Sequence, residues 1–281
     1  MRLAMSNIAW LPAERLEAYA ILAEAGLTGL EVAPGLLFHA AEDAFDPDPA
    51  TARDAMCEVE GAGLTLVSMQ SLLFGVEGAA LFGTAPERAV FERSMIRAIT
   101  LAGRFGIPNC VFGSPMQRRV PEGMAMAEAM EKAAEVFRRF GDAATAAGTR
   151  ITIEANPAAY GTNFCTTLEE AEAFVALVDH PAIALILDLG AMHMNGVFAG
   201  VPVRLPALTP RLNHVHVSEP HLAPAPADAT ALVPVLRALR AGDYTKAVSI
   251  EMKRPEAGLA EVRRSVARLV DAQQAAEAVD A

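Results

Sequence analysis

Three acidic residues and a histidine stand where apolar, β-rich runs of this chain end: Glu154 in ITIEANP, Asp188 in LILDLG, Glu251 in VSIEMK, and His214 or His216 in LNHVHVSEP. A carboxylate placed directly after such a run is costly to bury alone, because desolvating an unpaired ion takes more than packing returns. Something cationic should therefore meet it. Three carboxylates with one neutral imidazole form a mostly hard-oxygen donor set, which suits Mn²⁺ or Mg²⁺ and tolerates Co²⁺ or Zn²⁺. Any one of these acids reads equally well as an ordinary strand-end residue paired with Arg or Lys. Recurrence at four successive strand ends is what points to one shared metal site.

For these residues to meet, four strand ends must come to one place. Short β-rich runs alternate with longer stretches of helical period, the pattern of parallel strands each covered by a crossover helix. Eight strands are predicted, at residues 3–9, 29–33, 64–70, 109–113, 150–154, 183–188, 212–217 and 247–251, each followed by a loop and a helix. An α/β chain of 281 residues with this pattern fits a single (β/α)8 TIM barrel filling one domain, 1–281, in which all strand C-termini open on one rim. Punctuation supports the helices: Pro12 opens the first, Gly26 closes it, Gly61 and Gly148 end later ones, and Thr166 or Thr167 offers an N-cap ahead of Glu169 and Glu170. The alanine-rich tail from Ala272 is expected to fray.

Composition excludes several function classes. Lys and Arg number 23 against 34 Asp and Glu, and the net charge of -11 repels nucleic-acid phosphate and anionic lipid surfaces. Cys57, Cys110 and Cys165 are odd in number, widely spaced and form no CxxC pair, which argues for a reducing compartment, the cytoplasm, without structural zinc. The opening MRLAMSNIAW lacks the length and cleavage site of a signal peptide. Asp188, His193 and three glycines interrupt the most apolar later stretch, which therefore does not read as a membrane span. The partner implied is a small molecule. A Met-rich run, GMAMAEAMEKAAEVF, could add an apolar face to a homo-oligomer, although at helical spacing its methionines read as core.

Other polar residues near the strand ends are candidates for substrate contact: Asn156, Gln70, Lys253, His193 and, more weakly, Glu31, which could instead orient a neighbour. His214 and His216 lie two apart on one strand and are read as facing opposite sides, so that one looks into the barrel and the other packs outside. His39, His180 and His221 are expected at the surface or in loops. Arg118 and Arg119 could bind a phosphate, but read better as a solvated loop pair.

Taken together, these residues resemble the xylose isomerase-like barrel superfamily, specifically the sugar phosphate isomerase/epimerase group that includes ketose 3-epimerases and hydroxypyruvate isomerases. TGLEVAPGLLF around Glu31, VSMQSLLFG around Gln70, VFGSP after the fourth strand and HVHVSEP add to the likeness, which covers nearly the whole chain. The resemblance selects His216 beside Glu154, Asp188 and Glu251 as metal ligands, and implies that Glu154 and Glu251 are the catalytic proton-transfer pair. Two departures stand out: Leu222 where epimerases have a substrate-binding Arg, and Ala191 where they have a His, which His193 could replace. The expected activity is metal-dependent isomerisation or epimerisation of a sugar, sugar phosphate or keto acid through a cis-enediolate. The alternatives are a dehydratase or lyase on the same site and a non-catalytic barrel that binds a small metabolite. A three-zinc endonuclease is disfavoured by six histidines and the acidic charge.

Overall fold

The computed structural model describes residues 1–278. Eight parallel strands follow one another in chain order around a closed barrel, a (β/α)8 architecture. They are β1 Arg2–Ser6, β2 Gly29–Val32, β3 Thr65–Met69, β4 Cys110–Phe112, β5 Ile151–Ile153, β6 Ile183–Asp188, β7 Leu212–Ser218 and β8 Ala247–Glu251. The helices are α1 Arg15–Glu24, α2 Pro34–Leu37, α3 Pro49–Gly61, α4 Ala85–Arg104, α5 Met126–Ala147, α6 Leu168–Val178, α7 Leu189–Met194, α8 Val201–Leu208, α9 Ala229–Ala241 and α10 Leu259–Glu277. Backbone packing divides the chain into two compact units, Met1–Val67 with the chain from Asp188 onward, and Ser68–Leu187.

In the first unit, β7 and β8 run side by side with His216 opposite Ser249 and Ser218 opposite Glu251. β7 is buried along its whole length, polar residues included, as expected of a parallel strand covered on both faces. β1 stops at Ser6, short of the predicted 3–9. Ser6 caps a 3-10 turn at Asn7–Ala9, and the Asn7 side chain hydrogen-bonds both backbone groups of Ala33, so the polar pair turns the chain out of the strand. The sequence reading assigned one helix per strand, whereas α2 and α3 both follow β2, and α7 and α8 both follow β6. The expected fraying from Ala272 is corrected: α10 continues to Glu277 and buries Ala272 and Ala276. Residues 279–281 of that tail lie outside the described chain.

In the second unit, phenylalanines tie β4 to the helices that cover it. Phe112 of β4 meets Phe137 of α5 at 5.0 Å between ring centroids, and Phe137 meets Phe174 of α6 at 5.3 Å. Edge-to-face contacts of this kind add to the burial of the rings themselves. Gly148 caps α5 in the left-handed conformation at φ 71°, and the Thr167 hydroxyl caps α6 by accepting from Glu170 N, both as the sequence indicates. The Met-rich run departs from expectation: alanines and phenylalanines line the buried side of α5, and Met126 is exposed.

Candidate metal centre

Within the first unit, ionisable side chains from the ends of β2, β6, β7 and β8 converge. Asp188 ends β6 and also caps α7: its Oδ1 accepts from Ala191 N, while Oδ2 accepts from the Ser218 hydroxyl at 2.8 Å. The same hydroxyl accepts from Gly190 N at 2.8 Å, so Ser218 braces the carboxylate against the helix start. The fully buried His216 places Nδ1 3.6 Å from Asp188 Oδ2 and 3.3 Å from Glu251 Oε2. Its Nε2 lies 3.0 and 3.1 Å from the two oxygens of Glu31.

Glu31 also reaches His214, whose Nε2 stands 3.2 Å from Oε1. The expectation that the two histidines face opposite ways is therefore corrected. Side chains alternate along a strand, so residues two apart share a face, and both imidazoles point to the same carboxylate with ring centroids 5.1 Å apart. Burial would push the Glu31 carboxyl up, but the charges and hydrogen bonds of His216 and His214 outweigh it and hold Glu31 well below the ordinary carboxylate range.

Within the second unit, Glu154 follows β5 and is buried, and its Oε2 accepts from the Asn156 amide at 2.7 Å. Gln70, just past β3, is buried as well. Arg118 overturns its reading as half of a solvated pair. It is wholly buried, donating through Nη2 to the Glu154 carbonyl at 2.7 Å and to Asn156 Oδ1 at 2.9 Å, while Arg119 alone stays exposed.

Within the first unit, Asp188, His216 and Glu251 each offer one ligand-type atom, all within 4.8 Å of one another. Of the other predicted residues, Asn156 joins Glu154 directly, whereas Lys253 is exposed beyond β8. His193 stacks on Phe198 at 3.8 Å and lines a cavity of about 110 Å³ with Leu189, Ser218 and Glu219. Ser218 was missed, and Arg118 was named but placed in solvent. A serine two residues past His216 carried a weak signal through strand alternation; an arginine in a polar loop carried none.

The donor set fits a divalent cation. With Nε2–H donating to Glu31, His216 turns Nδ1 toward the oxygens of Asp188 and Glu251; once the ring gives up its second proton, Nδ1 would offer a lone pair beside two carboxylates, an arrangement that a cation between them relieves. A ligand imidazole whose other nitrogen donates to a carboxylate is also the usual outer arrangement of metal-bound histidine.

A closed parallel barrel with carboxylates and histidines at its strand ends carries its ionisable groups on the rim where barrels of this architecture place their active sites. The chain belongs to the xylose isomerase-like TIM barrel family, whose sequence model matches residues 19–272. No curated protein matches it in sequence. Among solved structures, a D-psicose 3-epimerase determined in the presence of D-fructose superposes with a TM-score of 0.78 at 16% identity, covering 98% of this chain and 99% of the other. D-psicose 3-epimerase from Clostridium cellulolyticum H10, with D-tagatose, gives 0.73 at 17% identity over 99% and 98%. A 3-keto-D-glucoside 4-epimerase from E. coli gives 0.72 at 18% identity over 96% and 99%. At these identities the likeness establishes the fold.

Proposed function

We propose that this chain is a divalent-metal-dependent isomerase or epimerase of a sugar or keto acid, with Glu154, Asp188, His216 and Glu251 as ligands of one Mn²⁺ or Mg²⁺ ion. The observation that carries the reading is the meeting, within the first unit, of the strand-end carboxylates of Asp188 and Glu251 with a histidine whose far nitrogen is held by Glu31. The solved epimerases of the same fold, with ketoses named in two of their structures, support a polyhydroxy carbonyl substrate. A bound ion would supply Lewis-acid stabilisation for negative charge developing on adjacent substrate oxygens.

The protein's own groups do the rest. Glu31 fixes His216 in the tautomer that leaves Nδ1 as a ligand atom, and Ser218 with the Ala191 amide holds the Asp188 carboxylate in place. Glu154 takes the proton from the carbon next to the carbonyl, and Glu251, in its protonated form, returns one from the opposite face, which inverts the centre; return to the neighbouring carbon, with the hydroxyl proton passing to the former carbonyl oxygen, gives aldose–ketose isomerisation. Asn156 orients Glu154, and Gln70, His193 and Lys253 are proposed for the substrate hydroxyls. Three free cysteines support a reducing cytoplasmic setting. Among the described residues no helix is long and apolar enough to cross a membrane.

The test is exchange of solvent deuterium into a panel of ketoses by Mn²⁺-loaded protein. Glu154→Gln is expected to lower that exchange by about 10²–10⁴-fold, the usual worth of a positioned acid or base, with circular dichroism unchanged. Exchange near the wild-type rate in that variant would remove Glu154 from the base role.

A further inference from the structure

Arg118 is the largest side chain among the fully buried ones and carries a cation that burial disfavours. Its hydrogen-bond partners are not carboxylates. Nη2 donates to the backbone carbonyl of Glu154 and to the side-chain oxygen of Asn156, and the guanidinium carbon sits 5.6 Å from the Phe112 ring centroid. Such an arrangement is a poor way to gain stability and a good way to set an orientation.

A guanidinium has donors only, so the Asn156 atom facing it must be the amide oxygen. The NH2 group is thereby turned to Glu154 Oε2, which it meets at 2.7 Å. Gly113, next to Phe112 at the end of β4, completes the seat: a Cβ there would come within 2.5 Å of Glu154 Oε2 and 3.5 Å of Asn156 Oδ1. The carboxylate is thus held by the amide on one side and backed by bare backbone on the other.

We propose that Arg118 is a positioning residue for the reaction: it locks the Asn156 amide with its NH2 toward Glu154, and so fixes the carboxylate orientation from which Glu154 binds the metal and takes the proton. The inference rests on the role given above to Glu154 and goes beyond it in assigning that orientation to a buried arginine that hydrogen-bonds Asn156 and the Glu154 backbone. Arg118 acts through Asn156, so the effects of the two residues should not be independent.

The experiment is a double-mutant cycle on Mn²⁺-loaded protein, read by Mn²⁺ affinity in calorimetry and by kcat and KM for deuterium exchange into a ketose. Arg118→Met is expected to weaken Mn²⁺ binding and lower kcat by about 10–100-fold each, the range typical of residues that orient metal ligands, with KM within about threefold. Adding Asn156→Ala should then cost less than about threefold further, and Arg119→Met, in the exposed neighbour, should leave both readouts unchanged. Independent, multiplicative losses would overturn the proposal by making Arg118 a plain loop brace, as would an Arg118→Met protein that binds and exchanges like wild type. If Arg118→Met does not fold, Arg118→Lys, which keeps a charged donor, is taken through the same cycle; failure of both to fold also assigns Arg118 to the brace. Wild-type protein that neither binds Mn²⁺ nor exchanges deuterium would remove the functional reading itself, and this inference with it, a result distinct from all of these.

Discussion

Glu31 shows how a single residue can matter without touching the reacting atoms. Its carboxylate lies between two buried imidazoles, and only its bond to His216 Nε2 fixes which nitrogen faces Asp188 and Glu251. Glu31→Gln keeps the shape but offers one acceptor oxygen where the carboxylate offers two. Mn²⁺ affinity measured by titration calorimetry is expected to fall about 10–100-fold in that variant, and undiminished affinity would limit Glu31 to packing. The acids of the candidate centre were legible because a charged residue after an apolar run is conspicuous. Misjudging His214 came from assigning it the wrong face of a strand whose period is two, and with the right one Glu31 would have had two partners to orient. Arg118 was hidden because nothing in a loop sequence reveals that its arginine is buried.

At the level of elements, β6 and β8 coincide with their predicted bounds, since both are apolar runs ending in an acid. Loops were harder to read. α2 is four residues long and α7 six, too short for a periodic pattern, and α7 exists because Asp188 caps it. One loop contact carries a pH signature. Glu14, after β1, accepts from Arg254, after β8, at 2.9 and 2.7 Å, and from Leu11 N at 2.8 Å. The Arg254 hydrogen bond chiefly, with that of Leu11, lowers the Glu14 carboxyl from 4.5 to about 2. A carboxyl depressed in the folded state stabilises above its unfolded value and loses that contribution as pH falls toward its folded one. Glu14→Gln is therefore expected to cost about 0.5 kcal/mol at neutral pH, typical of partly exposed pairs, in urea denaturation. The gap from wild type should narrow below the ordinary value of 4.5 and vanish near pH 2; a gap constant across that range would mean the pair is not electrostatic.

Across the whole molecule, the barrel turns sequence distance into proximity, which is why fold and candidate centre were legible together. Eight strand runs imply a rim, and a rim gives four distant side chains a reason to be considered jointly. What stayed illegible is the bracing around the acids, since hydrogen bonds from Ser218, Asn156 and Arg118 depend on which side chains are buried. The proposed chemistry requires Glu154, Asp188, His216 and Glu251 to hold a single divalent ion. Calorimetric titration of Mn²⁺ into chelator-stripped protein, wild type beside Asp188→Asn, tests it most directly. One ion per chain is expected for the wild type, with affinity lower by a factor of about 100 or more in the variant. Absence of binding by Mn²⁺, Mg²⁺, Co²⁺ and Zn²⁺ alike, or equal affinity in the two proteins, would contradict the claim.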